Sequence, residues 1–274
     1  MAEFRFSDNC VYIKSKSFDL RQTLDCGQAF RFSCDESGMW KGVVFGKVVC
    51  LYKDGDEIVL KNVSEQEFYD KFHSYFTFDL DYTKIKKEFS KDNRLKTACE
   101  VSSGIRMLRQ EKFETVCSFI FSQNNNIPRI KGIIERFCFF FGEKIDEENY
   151  SFPTVERIAN LTVEDLAPIR AGFRAKYIID AAQKIASGEV DLEKLEQLDL
   201  QEAREKLMKI KGIGPKVADC VLLFSCSQFS AFPMDVWMKK VMSTHFEDGL
   251  PKCTKGYEGI AQQYLFDWAR TLEN

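Results

Sequence analysis

MKIKGIGPKVADCVLLFSCSQFSAFPMD, residues 208–235, is the stretch on which the reading of this chain turns. An amphipathic helix ends near Ile210, and a turn carrying Gly212 and Gly214 follows. Pro215 stands where the first turn of a new helix tolerates it, because that position has no intrahelical use for an N–H. Lys216 opens the second helix, and Val217, Val221 and Phe224 give it a buried side. Lys216 and Cys220 are spaced to share a face. The glycines of such a helix–hairpin–helix pattern let the backbone come close to a ligand. The free N–H groups and the dipole of the second helix favour an anion, for which a nucleic-acid phosphate is the natural candidate. The same residues also fit a plain tight turn.

Lys216 and Asp235 narrow the choice. A cation is disfavoured at the start of a helix, so a partly desolvated lysine there is available as a neutral amine nucleophile. Asp235 follows Phe232-Pro233-Met234 and precedes the periodic run Val236, Met238, Val241, which places it as a helix N-cap. The bland alternative is a solvated lysine and a cap with no further duty. Hairpin, Lys216, then a proline-containing turn and Asp235 resembles the helix-hairpin-helix DNA glycosylase superfamily. Within it, GIGPKVADC is similar to the 8-oxoguanine DNA glycosylase family, whose catalytic lysine and aspartate stand in this arrangement. With the matches below, the resemblance covers most of the chain.

With 274 residues, 45% hydrophobic and 30% charged, the chain can bury a large core in one to three domains of a soluble globular protein. The 25 phenylalanines are read mostly as core. No apolar run approaches the length of a membrane span, and MAEFRFSDN lacks a signal-peptide pattern. The ten cysteines form no C-x-x-C, and His73 and His245 are the only histidines, so zinc-site spacing is absent. No four-cysteine cluster closes the chain, which argues against the iron–sulfur branch of the superfamily. Reduced cysteines fit an intracellular protein, in a bacterial cytoplasm or a nucleus. The net charge of −3 is unusual for a DNA binder and implies few phosphate contacts. Local clusters count for more: Arg170, Arg174 and Lys176, and Lys206, Lys209, Lys211 and Lys216, flank glycine turns.

The fold class expected is α+β: an N-terminal antiparallel sheet domain over residues 1–90, then a mostly helical glycosylase core over 91–274. The hairpin falls at about 203–226, and the final helices can pack back between the two. Residues 10–63 read as β, with Val11 and Ile13, Phe30 and Phe32, 43–45, 48–51 and 58–60 in short strands. Gly46-Lys47 and Asp54-Gly55-Asp56 are turn signals. Phe68, Phe72, Tyr75 and Phe76 form a helical core stripe, and Asp79 to Asp92 reads as a charged connector. Phe113, Cys117, Ile120 and Phe121 line a helix that stops at Ser122-Gln123-Asn124-Asn125-Asn126, where asparagines suit a helix end. Further helices are read over 236–245 and from Tyr257 to Leu272.

The remaining site residues are those that the family resemblance implies. Gly27, in Gly-Gln-x-Phe, would offer its carbonyl to the lesion. The chemistry is sound: guanine N7 is an acceptor, whereas oxidation at C8 puts a hydrogen on N7 that a fixed carbonyl can accept. Asn124 would fill the hole left by the extruded base and Arg129 would contact its orphaned partner, although a capping loop and a surface arginine are the plain alternatives. Phe173 would enter the base stack as a wedge and Arg174 would touch the estranged base. Here the alternative is a phenylalanine buried under a loop. Gln262 would read the Watson–Crick edge, with Phe266 stacking opposite Cys220. The alternative is a core Phe266 and a solvated Gln262. Gly212 and Gly214 would meet a phosphate. Trp237 departs from the histidine common at this place in the family's human-like members, though its indole N–H can still donate.

The function expected from these residues is that of a bifunctional DNA glycosylase/AP lyase acting on 8-oxoguanine opposite cytosine in duplex DNA, as a monomer. It would need no metal or organic cofactor, although family analogy allows a monovalent cation on the hairpin carbonyls. Two other readings stay open: a glycosylase for another damaged base, and a non-catalytic helix-hairpin-helix binding module.

Overall fold

The computed structural model describes residues 2–271. Six strands build one antiparallel sheet: β1 (Glu3–Ser7), β2 (Cys10–Lys14), β3 (Phe32–Cys34), β4 (Trp40–Val44), β5 (Lys47–Asp54) and β6 (Glu57–Lys61), in the order β1-β2-β6-β5-β4-β3. Alternation sets the register. Val11 pairs with Leu60 and Ile13 with Ile58, all facing the core. The β4–β5 hairpin turns through Phe45 and Gly46, at φ of 53° and 70°, the two left-handed residues that a two-residue connection needs.

The structure adds one strand to the sequence reading and corrects three of its expectations. Residues 3–7 form an edge strand, since Phe4 and Phe6 alternate with polar neighbours and pair with Ile13 and Val11. The segment before Gly27 is not strand but a short helix, α1 (Leu20–Leu24), started by Asp19, whose carboxylate accepts the Gln22 N–H at 2.9 Å. Phe30 precedes β3 and packs into the helical core instead. The charged stretch 79–92 is not a connector. It holds the helix Tyr82–Phe89, capped by Asp81, with Tyr82, Ile85 and Phe89 buried at helical spacing beneath the charges.

The aromatic stripe Phe68, Phe72, Tyr75 and Phe76 lies on a helical run over 65–75 with a π turn at Phe68–Phe72, and it fills the core under the sheet. A second, larger core joins the helices. Gly104 stitches the two together: its carbonyl accepts from Asp19 N at 2.9 Å and Thr23 Oγ1 at 3.0 Å, and its N–H donates to Gln22 Oε1 at 2.7 Å. The buried Arg106 guanidinium is satisfied by the carbonyls of Phe76, Ser17 and Thr77. The last helix, α12 (Glu258–Thr271), packs back onto this seam, where Tyr264 Oη donates to Ile105 O at 3.3 Å. Leu272, expected in that helix, lies outside the described residues.

The hairpin joins α9 (Leu200–Leu207) to α10 (Pro215–Ser225). Arg204 Nε meets Asp219 Oδ1 at 2.5 Å and locks the two helices together. Asp219 is buried, so its partner is required. The helix α8 (Ala175–Ala186) docks on the turn: the Lys211 N–H donates to Asp180 Oδ2 at 2.7 Å. Gly212 sits at φ +83°, and a Cβ there would overlap the Tyr177 ring. Gly212→Ala should therefore lower unfolding stability by about 1–3 kcal/mol, read from a denaturant melt. An unchanged melt would mean that the turn is slack.

Candidate active site and DNA interface

Lys216 lies in the first turn of α10, and Val217 to Ser225 behind it are all buried, so the amine projects from a fixed base. Its Nζ lies 5.5 Å from the centre of the Phe119 ring, which itself stacks on Phe224 at 5.4 Å. Cys220, one turn on, is 3% exposed. Burial pushes its thiol up to about 11. The neighbouring Lys216 ammonium and its hydrogen bond oppose that, while the Asp219 and Asp235 carboxylates reinforce it. Amine, thiol and the Asp235 carboxylate thus share one electrostatic neighbourhood, and Lys216 and Asp235 are both only partly buried.

Asp235 is the N-cap of α11 (Val236–His245), accepting the Met238 N–H on Oδ1 at 2.7 Å. The bond fixes the carboxylate's position and leaves its second oxygen for other partners. Trp237 follows, 39% exposed, with the Lys240 ammonium 5.9 Å from its ring centre.

On α12 the exposure of Gln262 and Phe266 is the reverse of the plain alternative. Gln262 is 5% exposed and its Oε1 has no hydrogen-bond partner, whereas Phe266 is half-buried and reachable. A buried unpaired amide oxygen costs stability unless something donates to it. Gly27 stands at φ +86°, and its own carbonyl accepts from no donor among the described residues.

The three asparagines divide the work that the sequence left open. Asn125 Nδ2 donates to Phe121 O at 2.7 Å, closing α5 (Lys112–Ser122), and Asn126 Oδ1 accepts Arg129 N at 3.0 Å, opening α6 (Ile127–Phe141). Asn124 is left exposed at the tip with φ +48°, a left-handed conformation that asparagine tolerates. Capping and a free tip therefore coexist.

Phe173 is 49% exposed, not tucked under a loop, and rests edge-on against Tyr177 at 6.0 Å. Arg174 differs from the sequence expectation of a residue held out toward a base. It is 4% exposed, and its guanidinium donates to the carbonyls of Gln123, Asn124 and Ala171. In this structure it braces the asparagine loop, because the loop's unpaired carbonyls need donors. Burial, and then the nearby Arg129, lower its pKa, which puts the exposed Arg129 beside it.

At the hairpin, Gly214 has open space where a Cβ would stand, and α10 begins without a side-chain cap, so its first N–H groups are free for an anion. Lys209 O accepts from Lys184 Nζ at 2.5 Å and Ile210 O from Ile213 N at 3.1 Å. A cation seeking these carbonyls would compete with an ammonium already in place. Sequence reasoning missed Tyr177, and it missed the ties on Gly27 made by Gln28, Gln110 and Gln263. Only Gln28 carried a signal, as part of Gly-Gln-x-Phe.

Comparison with known proteins places this geometry. Residues 11–116 match the family of the 8-oxoguanine DNA glycosylase N-terminal domain, and residues 117–253 match the HhH-GPD superfamily of base excision DNA repair proteins. The chain is 29% identical to the N-glycosylase/DNA lyase OGG1 of Arabidopsis thaliana, over 91% of this chain and 74% of that one. It is 34% identical to a DNA-3-methyladenine glycosylase of Bacillus subtilis, over 70% of this chain and 65% of that one. Among solved structures, the 8-oxoguanine glycosylase/lyase of Clostridium acetobutylicum, bound to double-stranded DNA with cytosine opposite 8-oxoG, superposes with a TM-score of 0.91. The two are 39% identical, over 100% of this chain and 99% of that one. On fold, on domain content and on likeness along its whole length, the chain belongs to the 8-oxoguanine DNA glycosylase/lyase family.

Proposed function

We propose that this protein is a bifunctional DNA glycosylase/AP lyase that removes 8-oxoguanine, preferably opposite cytosine, from duplex DNA. The observation that carries the reading is the likeness of the chain, from end to end, to an 8-oxoguanine glycosylase/lyase, with Lys216 one turn before Cys220 on α10 and Asp235 capping the next helix. The work belongs to a compartment that holds DNA, a bacterial cytoplasm or a nucleus.

The duplex docks with a phosphate on the free N–H groups at Gly214 and the start of α10. Phe173 wedges the stack, and Asn124 takes the place of the extruded nucleotide, whose flipping costs a few kcal/mol of stacking and pairing. The free base lies between Cys220 and Phe266. Gln262 offers its unpaired Oε1 to the Watson–Crick edge, and the Gly27 carbonyl accepts from N7–H. Intact guanine presents a lone pair at N7, and two acceptors repel.

Lys216 Nζ then attacks C1′ as the C1′–N9 bond breaks and its electron pair leaves with the base. Asp235 stabilises the positive charge that builds on the sugar. The amine gives one proton to the departing base and the other to O4′ as the C1′–O4′ bond breaks, which leaves a Schiff base at C1′. Removal of a C2′ proton then expels the 3′-phosphate by β-elimination, which is the lyase step.

Lys216→Gln is expected to abolish borohydride-trapped protein–DNA adducts while binding to a lesion duplex persists. Trapping that survives the change would remove Lys216 as the nucleophile. Arg129→Ala is expected to narrow the preference for cytosine opposite the lesion by about tenfold, in line with ~1–3 kcal/mol per base contact. It would be read by single-turnover release from duplexes with each of the four opposite bases. Equal release by the native protein opposite all four would overturn the cytosine preference itself.

A second reading draws on the likeness to a DNA-3-methyladenine glycosylase, which names an alkylpurine rather than an oxidised one. The lysine and the Gly27 segment favour 8-oxoguanine. Duplexes carrying 8-oxoguanine, an alkylpurine or no lesion separate the two, and also separate both from a module that binds without cutting.

A further inference from the structure

Two neighbouring glutamines on α12 have different fates. Gln262 is buried with its Oε1 unpaired, whereas Gln263, 3% exposed, is spent: its Nε2 donates to Cys26 O at 3.0 Å. That carbonyl belongs to the peptide that enters Gly27. The residue that follows Gly27 is held as well. Gln28 Nε2 donates to Thr23 O and Arg106 O, both at 2.8 Å, and its Oε1 accepts Leu108 N at 2.9 Å. The Gln28 carbonyl accepts from Gln110 Nε2 at 2.7 Å, and Gln110 N in turn donates to Phe224 O, near the end of α10. The Gly27 loop is thus tied on one side to the helix that carries Lys216 and Cys220, and on the other to the helix that carries Gln262 and Phe266. Between these ties, at φ +86°, the chain would otherwise be free to rotate.

We propose that Gln263 is a positioning residue that sets where the Gly27 carbonyl stands relative to Gln262, and so sets how well an oxidised purine is told from an intact one. The inference rests on the substrate reading above and extends it. Telling N7–H from an N7 lone pair needs an acceptor fixed to within a few tenths of an ångström, since a hydrogen bond weakens steeply away from its best geometry. Gln262 and Gln263 share one rigid helix, so the bond to Cys26 converts the position of the Watson–Crick reader into the position of the N7 reader. Gln28 holds the same loop but carries several buried bonds, and its loss would unfold the seam rather than shift it. Gln263 makes one bond to the loop and can be tested alone.

The test uses the full chain and two measurements: single-turnover release of 8-oxoguanine opposite cytosine, and strand cleavage at a preformed abasic site in the same duplex. The abasic site has no base to read but needs the same Lys216 chemistry. Gln263→Met keeps length and burial and removes the donor. We expect release to fall by about tenfold, the scale of one buried hydrogen bond's alignment, and abasic cleavage to stay within about twofold. Gln263→Glu keeps the shape and turns an acceptor toward the Cys26 carbonyl, so it gives the same split should the methionine variant be unstable. Unchanged release, or a parallel fall of both activities, would overturn the proposal, the second by showing a merely structural role. A native protein that cuts abasic sites but leaves 8-oxoguanine in place would overturn the substrate reading and this inference together. Native release matched by both variants would overturn this inference alone.

Discussion

Burial of α10 is the constraint on which the rest of the molecule depends. From Val217 to Ser225 every residue is buried, including Asp219, whose charge is matched by Arg204 across the hairpin. Removing a large side chain from such a core typically costs ~2–5 kcal/mol, a good part of the 5–15 kcal/mol that holds a domain folded. The helix therefore cannot shift or fray without unfolding the core. Lys216, the first residue in from Pro215, inherits that rigidity in its backbone while its side chain reaches a partly open space. The hydrophobic effect thus fixes the base from which the amine projects. The same burial keeps Cys220 a neutral thiol, which meets Lys216 through a hydrogen bond and not as a thiolate ion pair.

The devices that would meet DNA are not independent of that helix. Tyr177 lies against Gly212 on one side and under Phe173 on the other. Asp180, one turn on, accepts the Lys211 N–H and pairs with Lys184, whose ammonium also reaches Lys209 O. The hairpin turn and the exposed Phe173 ring are two ends of one packed unit. The Asn124 loop joins it through Arg174, which donates to Gln123 O and Asn124 O from the segment that bears Phe173. The hairpin, the Phe173 segment and the Asn124 loop therefore form one packed unit.

What could be read in the sequence and what could not divide along sequence distance. The hairpin was legible because glycine, proline and lysine act within a few residues of one another, through backbone geometry and a helix dipole. The Asp235 cap and the core stripes at 68–76 and 113–121 were legible for the same reason. Local signals failed where charge covered a buried stripe. Tyr82, Ile85 and Phe89 have helical spacing, but lysines and glutamate between them made the segment look like a linker. Around Leu20–Leu24 the apolar residues fit either period, and the Asp19 cap decided it. The site followed the same rule. Spacing put Lys216 and Cys220 on one face and Asp235 at a cap, and the family resemblance gave them roles, but nothing near Gln263 says that its amide will meet Cys26, a contact that only the return of the last helix creates. Arg174 shows a further limit: an arginine beside an exposed aromatic looks like a base contact, yet carbonyls 50 residues away claim its donors.

A chain with a net charge of −3 has to hold an anionic duplex with little help from its overall field, and the arrangement of its cations shows how. Several of the basic residues near the hairpin are already engaged: Lys184 and Lys211 pair with Asp180, and Arg204 with Asp219. They neutralise carboxylates rather than phosphates, so each contributes little to the counterion release that drives non-specific binding. The uncapped first turn of α10 works differently. Its N–H groups and dipole are directed at one point in space and cannot be drawn away by a neighbouring carboxylate. Asp235, by contrast, caps α11 with its own carboxylate. One helix start is left without a side-chain cap and the next is closed with a carboxylate. The backbone thus supplies a local polarity that the side-chain composition lacks.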